Sequence, residues 1–357
     1  MLNSTAQALE DLRTAQGLDA ILFTDLKNLR FLCGFTGTDA ALLFLKGRTV
    51  FLTDSRYTQQ AREQVQADEI IQYPTKVEGI AEALSRHGVK VLGFEAENLS
   101  CASLERLRSA AKEELQWKAL AKELQGLRRH KSAAELAALE EATAIAARGF
   151  DKILPLLRPG VPESDIAREL EFALRLEGGQ EKSFDFIVAS GIRGALPHGV
   201  ASGKRIEAGE LVTIDFGTVV RGYHSDETVT LAVGEVPDEL RLVYDIVLEA
   251  HDLAAAALRP GAALKDVDAV ARDFIASKGY GEFFGHGLGH GVGLDVHEFP
   301  VLNPRSPDLA EPGMVVTIEP GIYLPGKGGV RIEDMYVVTQ QGCRVLTRIP
   351  KDFRVIH

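Results

Sequence analysis

The 357-residue sequence predicts two domains, an α/β domain followed by an α+β domain built from two related halves. Three observations lead to this prediction. Short apolar segments alternate with helical segments in the first part of the chain, as is typical of a layered α/β domain. Longer helices alternate with strand-rich blocks in the second part. The tetrapeptide Leu-Arg-Pro-Gly occurs there twice, at 157–160 and 258–261, which indicates an internal duplication.

The first domain is predicted to span residues 1–125. Residues 20–23 form a short apolar strand, and residues 41–45 and 49–53 form two more. The Lys-Gly-Arg segment at 46–48 has the composition of a hairpin turn between the last two strands.

The second domain is predicted to span residues 126–357. Arg128 to Lys131 form a small basic cluster, which we expect to be a solvated linker. A long alanine-rich helix follows, and Ser132 and Glu135 have the spacing of a capping box at its start. Helices are predicted near 133–157, 163–177, 238–258 and 264–278.

Composition excludes several classes of partner. The net charge is −11 and there is no long basic run, which argues against nucleic-acid binding. The three cysteines are Cys33, Cys101 and Cys343; their odd number and wide spacing argue against a disulfide framework and favour a reducing compartment. The sequence has no signal-peptide pattern and no apolar run of transmembrane length. We therefore expect a soluble cytoplasmic protein without a membrane partner.

Residues 211–233 have the pattern of an antiparallel hairpin with its turn at Arg221-Gly222. If the hairpin is centred immediately before Arg221, Asp215 lies directly opposite Asp226. Opposed side chains in such a pair have Cβ atoms roughly 4.5–5.5 Å apart. The two carboxylates should therefore lie close together.

Residues 314–338 form a second predicted hairpin, with a Pro-Gly-Lys-Gly-Gly turn centred at Gly326. Glu319 then lies opposite Glu333. Pro320 cannot donate to the strand ladder, so the pairing should be irregular beside Glu319.

Four carboxylates among aliphatic neighbours require a proton or a cation to offset their repulsion. Together with an imidazole they are a ligand set suited to Mn²⁺, Fe²⁺, Co²⁺ or Zn²⁺. Four carboxylates exceed the charge that one dication balances, so two bridged metal ions fit the set better.

The imidazole is expected from residues 285–298, GHGLGHGVGLDVHE, which contain His286, His290 and His297. The alternating glycines argue against a helix. In a strand, His286 and His290 lie about 13 Å apart and cannot both reach one metal. One histidine of this stretch is therefore the predicted ligand, and the others are expected to meet substrate or to transfer protons.

These motifs resemble, in the same order, those of the metal-dependent M24 peptidases with the "pita-bread" fold, which include aminopeptidase P, prolidase and methionine aminopeptidase. The matching segments are 195–202, 214–217, 225–226, 286–298, 318–321 and 330–334. Residues 28–35 and 51–57 resemble the N-terminal domain of creatinase, prolidase and aminopeptidase P. Methionine aminopeptidases lack that domain, and creatinase lacks the metal ligands, so the combination indicates a proline-specific peptidase.

The resemblance implies a role for each candidate site residue. The implied metal ligands are Asp215, Asp226, His290, Glu319 and Glu333, with Asp226 and Glu333 bridging the metals. The positions implied to contact substrate or transfer protons are His198, His286, His297 and Arg331. Glu319 is the candidate to accept the proton of the attacking water. Either His297 or His198 is the candidate to stabilise the oxyanion.

The resemblance implies an Xaa-Pro aminopeptidase that acts on peptides with proline at the second position. It also implies two divalent metal ions, with Mn²⁺ ahead of Co²⁺, Zn²⁺ and Fe²⁺, and a homodimer. Three alternatives stay open: a prolidase that cleaves Xaa-Pro dipeptides, a creatinase-like hydrolase, and a non-catalytic binding module. The sequence departs from the family at Val229, where arginine is frequent, so substrate preference or tuning of the site could differ.

Overall fold

The structure, a computed structural model, describes residues 3–111 and 114–356. The chain divides into two compact units, Met1–Leu127 and Arg128–His357. Within the described ranges, no helix is both long enough and apolar enough to cross a membrane.

The first unit is an α/β domain around one six-stranded sheet. Helices α1–α6 are Asn3–Ala15, Leu26–Cys33, Thr58–Gln64, Lys76–Arg86, Cys101–Ala110 and Lys122–Gln125. Strands β1–β6 are Ala20–Phe23, Ala40–Leu45, Arg48–Thr53, Glu69–Gln72, Val91–Glu95 and Gln116–Leu120. The strand order is β4-β3-β2-β1-β5-β6, with the predicted hairpin formed by β2 and β3. Successive residues of β1 pack into two different apolar clusters, so both faces of the sheet are covered.

The second unit contains four long helices and two main sheets. Helices α7–α10 are Ala133–Ile153, Glu163–Leu176, Asp238–Ala257 and Leu264–Ser277. Strands β7–β19 are Ile187–Ser190, Glu210–Phe216, Val219–Val220, Tyr223–His224, Glu227–Val233, Gly289–Gly291, Glu298–Leu302, Val315–Ile318, Gly321–Leu324, Gly328–Arg331, Asp334–Val338, Cys343–Val345 and Val355–Ile356. The main sheets have the orders β19-β11-β8-β7 and β13-β12-β14-β17-β18. This architecture confirms the predicted fold class.

The predicted duplication is visible in how each helix pair is anchored. Helices α7 and α8 pack on the first main sheet, and α9 and α10 pack largely on the second. In the first half the amide of Gly160 donates to the carbonyl of Ile206, and in the second half Gly261 donates to Ala310, both at 2.8 Å. The same backbone contact therefore closes the inter-helix turn in each half.

The start of the second unit is only partly as predicted. Ser132 and Glu135 form the expected capping box at the start of α7. The preceding basic residues are not a solvated linker, because Lys131 is buried and its Nζ lies 2.5 Å from Glu298 Oε1. Arg128 Nη2 lies 3.1 Å from the other oxygen of the same carboxylate. A poorly exposed glutamate needs nearby cations, and these two residues provide them.

The first predicted hairpin has a different register from the one expected. Its two turn residues are Arg221 and Gly222, with φ values of 48° and 76°, as a type I′ turn requires. The centre therefore lies between these residues rather than before Arg221. Asp215 consequently pairs with Thr228, and Asp226 lies just before the start of β11.

The second predicted hairpin has the expected register. Gly321 pairs with Arg331 in the β15–β16 ladder, and Ile318 pairs with Asp334 in the β14–β17 ladder. The ladder is interrupted between these pairs, where Pro320 stands. Glu319 and Glu333 therefore lie within this interruption, on opposite strands of the hairpin.

Candidate active site

The two hairpins and strand β12 meet at a cavity of about 400 Å³ in the second unit. An antiparallel bridge joins the two main sheets there, since the amide of Glu333 donates to the carbonyl of Thr228 at 3.2 Å. The cavity is lined by all nine residues proposed from the sequence: Asp215, Asp226, His290, Glu319, Glu333, His198, His286, His297 and Arg331. Strands far apart in the chain thus bring the predicted residues to one place.

Four acidic residues, named here the cavity carboxylates, are Asp215, Asp226, Glu319 and Glu333. The structure leaves Asp226 only 4% and Glu333 only 2% exposed. Arg331 Nη2 lies 2.6 Å from Asp215 Oδ2 and partly offsets the negative charge. The other oxygen of Asp215 is buried and has no hydrogen-bond partner in the described part of the chain. The protein's own groups therefore leave this set short of positive charge and of donors.

The pKa shifts of two cavity carboxylates show the same shortage of positive charge. Burial and the charge of Glu333 raise the pKa of Asp226 well above its ordinary value. Burial and the charge of Glu319 do the same to the pKa of Glu333. Both carboxyl groups are therefore costly to ionise unless a further cation is present.

The imidazole of His290 faces the cavity carboxylates. Its Nδ1 lies 3.1 Å from the carbonyl of Gly291, which assigns the proton to Nδ1 and leaves the Nε2 lone pair for a ligand. That Nε2 lies 3.2 Å from Glu319 Oε1 and 3.6 Å from Asp226 Oδ2. Ligand atoms of Asp226, His290 and Glu333 all lie within 4.8 Å of one another. This donor set, with its unpartnered oxygen and missing positive charge, fits a divalent cation.

The position of His290 is set by the close approach of strands β12 and β14. A Cβ atom on Gly289 would lie 2.0 Å from the carbonyl oxygen of Thr317 in β14, so this position accepts glycine alone without a shift. The hydroxyl of Thr317 accepts from the amide of His290 at 3.1 Å and donates to Glu319 at 3.2 Å. Thr317 thus fixes two of the residues implied to be ligands.

His286 has different contacts from His290. Its Nδ1 lies 2.8 Å from the carbonyl of Gly287, and its Nε2 lies 2.9 Å from the hydroxyl of Tyr323. Burial lowers the pKa of this imidazole, so it is held neutral. The two histidines therefore have different partners in the same cavity.

The remaining candidates line the cavity at its mouth and its base. His198 and His297 are exposed, and the ring centroid of His297 lies 4.3 Å from that of His290. Arg331 is only 4% exposed. Its guanidinium donates to Asp215, Tyr323, Thr228 and the carbonyl of Pro197. In this structure Arg331 therefore braces the cavity walls.

Two residues that hold the site together by hydrogen bonds, Thr228 and Tyr323, were not predicted from the sequence. Thr228 donates to Glu333 at 2.7 Å, and Tyr323 links Arg331 to His286. The alternation of strand residues could have found Tyr323, since positions 319, 321 and 323 share a face. Val229, which replaces the frequent arginine, is buried against the α7–α8 core and does not line the cavity.

Comparisons with known proteins agree with this geometry. Residues 137–340 match the model of metallopeptidase family M24. The chain belongs to this family. Residues 6–130 match the creatinase/prolidase N-terminal domain.

Relatives and solved structures cover nearly the whole chain. An Xaa-Pro dipeptidase of Pyrococcus horikoshii is 35% identical over 354 residues, with 99% of each chain covered. The structure of an Xaa-Pro dipeptidase from Bacillus anthracis has a TM-score of 0.96 and 43% identity, again with 99% of each chain covered. An X-Pro aminopeptidase from Thermotoga maritima has a TM-score of 0.88 and 37% identity, over 96% of this chain and 100% of that one.

Proposed function

We propose that this protein is a metal-dependent peptidase that hydrolyses the Xaa-Pro bond at the N-terminus of its substrates. The observation that carries the proposal is the set of four cavity carboxylates joined by His290 in one cavity. Membership of a metallopeptidase family and similarity to proteins named Xaa-Pro dipeptidase and X-Pro aminopeptidase support it.

The proposed metal ligands are Asp215, Asp226, His290, Glu319 and Glu333. We propose that these residues would hold two divalent ions, because four carboxylates opposed by one arginine leave a charge that one dication does not balance. Mn²⁺ is the proposed ion, and a homodimer is the proposed assembly. When bound, such ions supply a nucleophilic water and polarise the scissile carbonyl.

Glu319 is the proposed general base. Burial disfavours its charge, but the interactions with His290 and Arg331 prevail and lower the pKa of Glu319. Its carboxylate is thus ready to accept a proton from the attacking water and to pass it to the leaving proline nitrogen. His198 and His297, at the mouth, are placed to donate to the oxygen of the former carbonyl as negative charge develops there.

Specificity for proline has a physical rationale in the cavity wall. Phe184, Ile187 and Val200 give the cavity an apolar side next to Pro197 and His198. A pyrrolidine ring can pack on such a wall, and the Xaa-Pro bond has no N–H that would need an acceptor.

Xaa-Pro dipeptides are the substrates that we propose first, because the Pyrococcus horikoshii and Bacillus anthracis proteins carry that name. Longer peptides are the second candidate, since the Thermotoga maritima protein is named an aminopeptidase. Hydrolysis of Ala-Pro, Ala-Pro-Gly and Ala-Gly by the Mn²⁺-loaded protein separates the possibilities. Cleavage of Ala-Pro alone identifies a dipeptidase, and cleavage of both proline peptides identifies an aminopeptidase. Preference for Ala-Gly, or no hydrolysis of any of them, would contradict the proposal.

A further inference from the structure

Two buried carboxylates that are not among the proposed metal ligands hold the loops that carry His198 and His286. We propose that Glu163 with Arg193, and Asp268 with Arg272, are two positioning clasps, each of which fixes one of these histidines for catalysis. The inference rests on the proposed function, because His198 has a proposed role there and His286 lines the same cavity.

Glu163, at the start of α8, is fully buried. One carboxylate oxygen accepts from the amide and the hydroxyl of Ser190, both at 2.8 Å. The other accepts from the amide of Ser202 at 3.2 Å, from its hydroxyl at 2.7 Å and from Arg193 Nε at 2.9 Å. A single side chain therefore binds both ends of the segment 190–202, which contains His198.

Arg193 completes this first clasp. While its Nε contacts Glu163, its Nη2 donates to the carbonyl of Val200 at 2.6 Å. The guanidinium thus bridges the loop from residue 193 to residue 200 and closes it around His198. A loop with an exposed histidine would otherwise be free to change conformation.

Asp268, on α10 in the second half of the domain, is only 1% exposed. Its Oδ1 accepts from the amide of Leu288 at 3.0 Å, and Arg272 forms a forked pair with the carboxylate at 2.7 and 2.8 Å. Arg272 also donates to the carbonyls of Phe284 and His286, at 3.1 and 2.8 Å. The second clasp therefore grips the backbone of His286 itself.

The two clasps are alike in chemistry but not in sequence position. When the halves are aligned on Leu-Arg-Pro-Gly, Glu163 corresponds to Leu264, and Asp268 lies one turn later on its helix. Both nevertheless join a buried carboxylate, an arginine and the carbonyls of a histidine-bearing loop. Neither contacts a proposed metal ligand, so their contribution is separable from metal binding.

Double-variant cycles test the coupling. Glu163→Gln places an amide NH₂ opposite donors and should lower kcat/KM for Ala-Pro by about 10–100-fold through misplacement of His198. In a His198→Ala background the same change should cost less than about twofold, whereas in a His286→Ala background it should keep its full cost. Asp268→Asn should show the reverse pattern. If the losses of kcat/KM were additive for Glu163→Gln with His198→Ala, and for Asp268→Asn with His286→Ala, the proposal would be overturned.

Hydrogen exchange provides a readout that does not depend on activity. Glu163→Gln should speed amide exchange in residues 190–202 and leave 284–288 unchanged, and Asp268→Asn should do the opposite. Mn²⁺ content, measured by elemental analysis, should stay at the wild-type level in both. Faster exchange across the whole second unit, or lost metal, would show a general structural role and overturn the inference.

Milder variants cover the case in which a buried carboxamide prevents folding. Arg193→Lys and Arg272→Lys keep the charge but lose the fork that reaches the loop carbonyls. They should reproduce the same loop-specific exchange with a smaller loss of rate. If His198→Ala and His286→Ala leave kcat/KM unchanged, the proposed catalytic roles fail. The clasps would fail separately, through unchanged exchange in the two loops.

Discussion

Two groups of buried acidic residues stand on neighbouring positions of the same hairpins. The cavity carboxylates include Asp226 and Glu333, and the residues that follow each of them, Glu227 and Asp334, point to the opposite side, as successive strand residues do. The second group, named here the rear cluster, consists of Glu227, Asp334, Lys351 and His251. Both groups are buried, but they are balanced in different ways.

The protein supplies its own cationic partners to the rear cluster. Lys351 Nζ lies 2.5 Å from Glu227 Oε1 and 3.2 Å from Asp334 Oδ1, and His251 Nε2 lies 3.2 Å from Asp334 Oδ2. Burial disfavours the charge on Asp334, but Lys351 and His251 prevail and lower its pKa. On the cavity side, burial and mutual repulsion raise the pKa values of Asp226 and Glu333 instead. The difference indicates that the cavity side is built for cations from solution.

The largest expected effect is on the cavity side. Asp226→Ala should remove bound metal and lower kcat/KM for Ala-Pro by at least about 10³-fold, because metal contributes several kcal/mol to the transition state. The free energy of unfolding of the metal-free protein should be unchanged or higher, since a repelling buried carboxyl is gone. Elemental analysis, kinetics and urea unfolding measure the three quantities. An Asp226→Ala protein with full metal content and full activity would refute the cavity assignment.

The matching change on the rear side should affect stability first. Lys351→Met leaves Glu227 and Asp334 buried without their lysine and should lower the free energy of unfolding by about 3–5 kcal/mol. Metal content of the folded fraction should stay at the wild-type level. Lys327→Met is the control, because its partner Glu239 is exposed and such pairs contribute less than about 1 kcal/mol. Equal losses from both lysine variants would remove the distinction between the two groups.

How far the sequence predicts these regions depends on how local the determining contacts are. Glu319 and Glu333 were placed correctly because a glycine-rich turn and strand alternation determine the second hairpin. The register of the first hairpin was wrong because its turn uses positive φ at Arg221, which a non-glycine residue rarely adopts.

Local sequence patterns do not predict which charged residues are buried. For four histidines outside the candidate motifs, the sequence predicts surface positions: His87, His130, His251 and His357. His251 is 3% exposed, since it pairs with Asp334 on a distant strand, whereas His130 is exposed as expected. His87 is partly buried, and His357 lies outside the described residues. Lys131 is a similar case, because its partner Glu298 is 167 residues away. Only the folded chain brings such partners together.

An intermediate effect separates the histidines of the cavity. His290→Ala should lose metal, whereas His297→Ala should keep it and lower kcat by about 10²-fold, because His297 lies beside His290 at the mouth and is proposed to meet substrate. Elemental analysis and steady-state kinetics on the same preparations test this. Loss of metal from the His297→Ala protein would indicate that His297 is itself a metal ligand.

The last expected effect is the pH dependence of the rear cluster. Burial, with the charge of Asp334, outweighs Lys351 and raises the pKa of Glu227 from 4.5 to about 7. The folded state then binds a proton that the unfolded state has released, so this group stabilises the fold less as pH rises from 4.5 to about 7. The free energy of unfolding of the metal-free protein, relative to Glu227→Gln, should fall across this window and be flat above it. Glu207→Gln, at an exposed position, controls for the loss of one negative charge. A difference that rises with pH would mean that Lys351 holds Glu227 ionised in the folded state.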